Sequence, residues 1–235
     1  MNNIWHIIIN SALPIAVAGL KYTIPITIIS FSLGLIIAVL TALVRISKKR
    51  SIFFMLIKWI VKFYVWLFRS TPLLVQLFIV YFGLPYLIIP AVAPTGIKLG
   101  PLVSGILTFS LNTGAYCSET VRSAILSIPN GQWEAAYSIG MTKTQVLRRI
   151  IFPQASRVSL PPLFNSFISL VKDTSLAASI TIVEMFEVSQ QIAAENYQPL
   201  VMYSLVAAFY AIICTFLSTL QRYLEKRVSR YVVTI

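Results

Sequence analysis

The chain reads as apolar runs of about 20 residues separated by short polar or basic connections. Wound as helices, runs of that length match the hydrocarbon core of a bilayer. Five spans are predicted, at 24–44, 64–84, 101–121, 160–183 and 200–220. A barrel is excluded, because its strands need only ~10 residues and alternate in polarity. Pro14, Pro25, Pro72, Pro101, Pro153, Pro161, Pro162 and Pro199 fall near predicted span starts or in connections, where a missing N–H is tolerated. The stretch 51–62 is apolar but carries Lys58 and Lys62, so it is predicted to lie along the inner interface. Residues 1–13, with Trp5, fit the same role on the other side. The expected fold is an all-α membrane protein of one domain, 1–235, with five transmembrane helices.

Composition supports that class. Of 235 residues, 57% are hydrophobic and 11% charged, whereas a soluble domain carries about 25% charged residues. Too little polar sequence remains to cover a water-exposed surface, which excludes a soluble globular enzyme. The net charge of +12 would suggest nucleic acid in a soluble chain. Here its placement points elsewhere. Sixteen basic residues fall between Arg45 and Arg69, between Arg122 and Arg157, and from Arg222 to Arg230, against Lys21 and Lys98 on the other side. The asymmetry places those loops and the C-terminus in the cytoplasm and the N-terminus outside. Nucleic acid is not an expected partner. Cys117 and Cys214 sit in apolar runs and read as small hydrophobes. The first basic residue is Lys21, so no secretory signal is expected. An odd span number shows no inverted repeat, which counts against a secondary transporter.

Polar residues inside the spans carry the next clue. Thr23, Thr27, Ser30 and Gly34 share one helical face of the first span. Ser104, Thr108, Asn112, Tyr116 and Glu119 share one of the third, and Asn165, Ser169, Lys172 and Ser179 one of the fourth. Three such stripes are able to line a hydrated path; alternatively, hydroxyls and small residues glue helices together. Charges are costlier, roughly 2.5–3.5 kcal/mol each near the bilayer centre. Lys172 and Asp173 are adjacent and cannot face each other on a helix. Lys172 could meet a substrate carboxylate and Glu119 an ammonium, or the two could pair and only fix packing. Glu184 reads as an interface marker.

The connection at 127–157 has its own grammar. Pro129-Asn130-Gly131 signals a turn, followed by a short helix over 132–139. Gly140 suits a positive-φ position after that helix. Thr142 and Gln145 form a capping box for a second helix, which Pro153 is expected to end. Arg148, Arg149 and Arg157 hold the loop under the membrane, and Ala135 and Ala136 offer a small face to another protein. A hairpin without a partner is the alternative.

In the arrangement Glu134-Ala135-Ala136, Gly140, Pro153-Gln154-Ala155, the chain closely resembles the permease subunits of ABC importers of the polar amino-acid uptake family. The resemblance extends to the segment from Arg69 through Thr71-Pro72 to Leu77, to Asn112–Glu119 with Arg122, to Gly131-Gln132-Trp133, and to Lys172-Asp173-Thr174-Ser175-Leu176. It runs from about Tyr22 to Tyr231, with Ser70 where glycine is usual and Phe152 where leucine is usual. Within the family the wording is most similar to cystine permeases.

This resemblance implies two permease subunits around a central path, expected here as a homodimer, with two copies of a cytoplasmic ATPase and an external solute-binding protein. Gly131, Glu134, Ala135, Ala136, Gly140 and Pro153 are then the residues of ATPase coupling. The substrate path is carried by Thr71, Asn112, Tyr116, Glu119, Lys172, Asp173, Thr174 and Ser175. The chain itself has no phosphate loop, no G-x-S-x-G and no H-E-x-x-H, and one histidine, His6. It is expected to be a non-enzyme without a metal or cofactor of its own, with ATP and magnesium held by the partner. Its expected location is the bacterial cell membrane.

Overall fold

The computed structural model describes residues 2–47, 51–88 and 95–229. Lys48, Lys49, Arg50 and Arg230 of the basic loops, and Met1 and Tyr231, lie outside the described residues. Among those described the chain is helical, without strands. Helix α1 (Asn2–Ala18) passes through a π turn, Gly19–Thr23, into α2 (Ile24–Ile46). Together they make one apolar helix, Ile4–Ile46, rather than an interfacial segment followed by a span. Helix α1 is instead tied to the far end of the bundle, where Ile15 packs with Met185 and Val206.

The predicted span at 64–84 is broken. Helix α3 (Ile52–Ser70) ends at Thr71 and Pro72, both extended, and α4 (Leu73–Phe78) leaves at 113° to it, continuing through a π turn, Ile79–Gly83, and a short 3-10 turn, Leu84–Tyr86. Pro72 disfavours the helical conformation at Thr71, which explains the break. The interface-like stretch therefore runs on to Ser70. Its outer face shows Trp59, Ile60, Phe63 and Trp66, as a helix in contact with lipid would.

Helix α5 (Pro101–Leu126) is about 39 Å long at 1.5 Å per residue and runs parallel to α2. The two approach closely: a Cβ on Gly34 would lie 2.9 Å from Thr113, and one on Gly114 would lie 2.7 Å from Ile37. Helix α5 is more polar than an isolated span because other helices surround it. The loop follows as α6 (Asn130–Ser138) and α7 (Lys143–Val146). A π turn, Leu147–Ile151, joins α7 to α8 (Phe152–Asp173), which tightens into a 3-10 stretch, Thr174–Ile180. After left-handed Thr181, α9 (Met185–Asn196) sets off at 52°, and α10 (Pro199–Ser229) completes the chain. Span four thus starts earlier than expected and ends as a helix at Asp173.

The prolines correct the sequence reading. Pro101 and Pro199 do begin helices, but Pro14, Pro161 and Pro162 lie inside them, and Pro153 does not end the loop's second helix. Each π turn closes on the residue just before a proline: Ile24 N–H donates to Gly19 O, Leu84 N–H to Ile79 O, and Phe152 N–H to Leu147 O, ahead of Pro25, Pro85 and Pro153. An α turn would drive the proline ring into the carbonyl four residues back. The wider turn accommodates it, and the helix runs through.

Candidate functional site

The end bearing α6 and α7 is built on one apolar cluster. Ala42 of α2, Val121 and Ile125 of α5, Ala136 of α6, Val146 of α7 and Ala155 of α8 pack together, so the loop is anchored to three long helices. Ala136 is buried and faces its own chain, contrary to the expectation that both alanines face outward. Gly131, Glu134 and Ala135 are exposed. Gly140 has φ +79° and its N–H donates to Tyr137 O at 2.9 Å, while the Thr142–Gln145 capping box starts α7. Pro153 sits in the first turn of α8, so α7, the π turn and α8 run continuously as far as Asp173.

Helix α5 presents two different surfaces along its polar stripe. Ser104 and Thr108 are buried, as are Thr23 of the π turn and Thr27, Ser30 and Gly34 of α2. The first stripe and half of the third are therefore packing seams, with Thr27 Oγ1 donating to Thr23 O and Thr108 Oγ1 to Ser104 O, both at 2.8 Å. Nearer the loop, Asn112, Tyr116 and Glu119 meet the elbow between α3 and α4. Asn112 donates to Gln76 Oε1 at 2.9 Å, and Gln76 Nε2 reaches Phe68 O, Thr71 O and Thr71 Oγ1 at 2.8–3.0 Å. Tyr116 lies under the Arg69 guanidinium, 5.6 Å from its centre.

Glu119 does not meet Lys172. Arg45 donates to its Oε2 at 2.6 Å, Arg122 holds Oε1 through Nε at 2.9 Å and through Nη2, and Arg69 stands 4.0 Å away. A carboxylate that already accepts three guanidinium hydrogen bonds is poorly placed to receive a substrate ammonium. Beside it a cleft of about 520 Å³ opens between α5 and α8, lined by Arg69, Tyr116, Thr120, Ser123, Ser159 and Ser166 among others.

The fourth stripe behaves differently. Asn165, Ser169, Lys172 and Ser179 are all exposed. Asn165 accepts from Gln221 of α10 at 3.0 Å. Thr174 is buried and Ser175 half-buried; their hydroxyls donate to Val171 O and Lys172 O at 2.7 Å, capping α8 where it tightens. Asp173 is half-buried beside them. The elements thus gather Thr71, Asn112, Tyr116 and Glu119 at the elbow, and Lys172 to Ser175 at the end of α8.

Two functional-looking groups escaped the sequence reading. Gln76 was inside a recognised segment, but its role depends on the break at Pro72. Glu184 is fully buried rather than interfacial: it caps α9 by accepting from Glu187 N–H at 2.9 Å and accepts from Tyr210 of α10 at 2.7 Å. Glu184 three residues ahead of Glu187 is a capping spacing that was legible. Among the described residues no group of His, Cys, Asp and Glu could hold a metal ion.

Residues 34–230 match the family model described as binding-protein-dependent transport system inner membrane component. The chain is 49% identical over 229 residues to the L-cystine transport system permease protein TcyB of Bacillus subtilis, covering 97% of this chain and 92% of that one. It is 34% identical to the glutamine transport system permease protein GlnP of Escherichia coli, covering 92% and 94%. A crystal structure of an amino acid ABC transporter with histidines superposes with a TM-score of 0.81 at 29% identity, covering 92% of this chain and 94% of that one. The inward-facing MetNI methionine transporter, at 19% identity and a TM-score of 0.66, shares the fold. The chain belongs to the binding-protein-dependent transport system inner membrane components, a multi-pass membrane protein of the family that forms the permease subunits of amino-acid ABC importers.

Proposed function

We propose that this chain is the translocating subunit of an L-cystine importer, working as a homodimer with two ATPase subunits and an external binding protein. The observation that carries the reading is the exposed polar face of α8. Ser169 and Lys172 are exposed, as is Asn165 beside its hydrogen bond to Gln221, whereas the outward face of α10 shows Ile212, Phe216 and Leu220. A lysine facing hydrocarbon is costly, so this face belongs against water and a second copy. The path then follows α8 from Lys172, which meets the substrate carboxylate, toward the cleft beside Glu119. The basic end is cytoplasmic and the N-terminus external, by the distribution of Lys and Arg. The exposed side of α6, with Gly131, Glu134 and Ala135, docks on the ATPase, which holds ATP and magnesium. Nucleotide-driven closure displaces α6 and α7 and, through the unbroken helix, rocks α8.

Uptake competition with a panel of amino acids, in cells expressing the complete system, tests the substrate. Unlabelled L-cystine is expected to displace labelled L-cystine better than any other member. Displacement by glutamine instead would favour the second reading, another polar amino acid, which the likeness to the glutamine permease supports. Lys172→Gln is expected to reduce uptake at least 10-fold without reducing co-purification with the ATPase. Equal loss of both would mean that Lys172 only packs.

A further inference from the structure

We propose that the cleft between α5 and α8 is an anion site, in which Arg69 receives the carboxylate of the transported amino acid on its way out; this rests on the importer reading. Glu119 and Arg69 line the cleft, and Arg45 and Arg122 stand behind Glu119, so three guanidiniums surround one carboxylate at its wall. Glu119 is fully engaged, its Oε2 by Arg45 and its Oε1 twice by Arg122. Arg69 approaches no closer than 4.0 Å, to an oxygen already taken by Arg45. Three cations against one anion leave the cleft electropositive, in a setting where low-dielectric walls strengthen such a field.

Arg69 is also poised geometrically. Its side chain is 42% exposed, and its guanidinium lies over the Tyr116 ring in a cation–π contact that keeps the donor fork at the cleft. That fork matches a carboxylate with two parallel hydrogen bonds. The opposite wall offers little competition: Ser159 and Ser166 already donate to Ser156 O and Pro162 O. Among the described residues no hydrogen bond engages the Thr120 or Ser123 hydroxyl, so both remain available as donors to the same anion. Among the described residues Glu119 is the one acidic group lining the cleft, and both its oxygens already accept from arginines. The site therefore accepts a carboxylate and disfavours an ammonium. At about 520 Å³ it is large enough for a small organic acid with its water. It lies beyond Lys172 along α8, a second station for the same functional group.

The test is equilibrium binding of radiolabelled L-cystine to the complete permease–ATPase complex in phosphatidylcholine nanodiscs, without the binding protein. Arg69→Gln is expected to weaken binding at least 10-fold, and Arg69→Lys several-fold, because a point charge replaces the fork. Ser123→Ala is expected to weaken it about 2- to 5-fold. Cystamine, which keeps both ammonium groups and lacks both carboxylates, should not compete on the wild type. Wild-type affinity in Arg69→Gln, or competition by cystamine equal to that of L-cystine, overturns the site. Should Arg69→Gln fail to assemble, Ser123→Ala and the cystamine arm still decide. Displacement of L-cystine by phosphatidylglycerol in the nanodisc would assign the same chemistry to a lipid phosphate and overturn the substrate assignment. Binding of a different amino acid with the same dependence on Arg69 keeps the site and overturns the L-cystine reading. Uptake of L-cystine with no binding by the complex keeps that reading and overturns the site.

Discussion

Asn112 of α5 donates to Gln76 Oε1 at 2.9 Å, and the opposite end of the same carboxamide caps the broken end of α3 through Phe68 O and Thr71 O. One side chain thus supplies what the backbone loses at Pro72 and ties the elbow to the central helix. Replacing Gln76 by leucine leaves those carbonyls without their donor, at a cost of about 1–3 kcal/mol. The isosteric Gln76→Glu is expected to be as damaging, since a carboxylate cannot donate to a carbonyl. Thermal unfolding of the purified complex reads both, and near wild-type stability of Gln76→Glu would contradict the assigned direction of these bonds.

Glu119 is held by residues of α2 and α5 and lies beside the end of α3. Glu119→Gln removes the charge that offsets Arg45 and Arg122, and is expected to lower stability by about 1–3 kcal/mol, discounted for partial exposure. Combining it with Arg45→Gln should cost less than the two separate losses together. Strict additivity in a double-mutant cycle would show that the pair carries no coupling.

Gly140 combines φ +79° with open space where a Cβ would stand. The cost of substitution is therefore conformational rather than steric. Gly140→Val is expected to lose roughly 1–2 kcal/mol locally and to lower uptake per ATP hydrolysed, while Gly140→Asn, which tolerates the left-handed region, stays near wild type. The ratio of uptake to hydrolysis in proteoliposomes separates the two, and equal behaviour would exclude the backbone as the cause.

Pro153 holds a widened turn open. Alanine removes the ring and is better suited to a helix, so Pro153→Ala is expected to preserve or raise thermal stability. Collapse of the π turn to an α turn, however, rotates α7 against α8 by about 100°. Coupling should fall although stability does not. Unchanged uptake per ATP would show that the register between loop and span is unimportant.

Gly34 meets Thr113 across the α2–α5 seam, where a Cβ would stand at 2.9 Å, whereas a Cβ on Gly100 would meet nothing. Gly34→Ala is expected to lower stability by about 1–3 kcal/mol and Gly100→Ala to leave it unchanged. Unfolding midpoints of the two variants check the contrast.

The segments 101–121 and 200–220 each fall within one helix that has a proline at its start. Hydropathy misplaced the span at 64–84, because apolar residues lie on both sides of Pro72 and composition does not register a turn of 113°. Gly140 and the Thr142–Gln145 box were readable because caps and positive φ are local chemistry. Glu119 was visible as a charge out of place, yet its partners Arg45 and Arg69 come from positions 74 and 50 residues earlier, and no periodicity links them.

The order of residues alone was enough to determine that this chain lives in a membrane, which of its ends is basic, and that a capped helical loop interrupts its spans. Those properties follow from transfer energies and short-range backbone preferences, which each segment carries by itself. Which polar stripe faces protein and which faces outward was decided only by the packed structure. Thr23 to Gly34 and Lys172 belong to similar amphipathic patterns, and the crossing of α2 over α5 buries one while the outer position of α8 leaves the other uncovered. A helix records which of its faces is polar; what that face meets depends on helices distant in sequence.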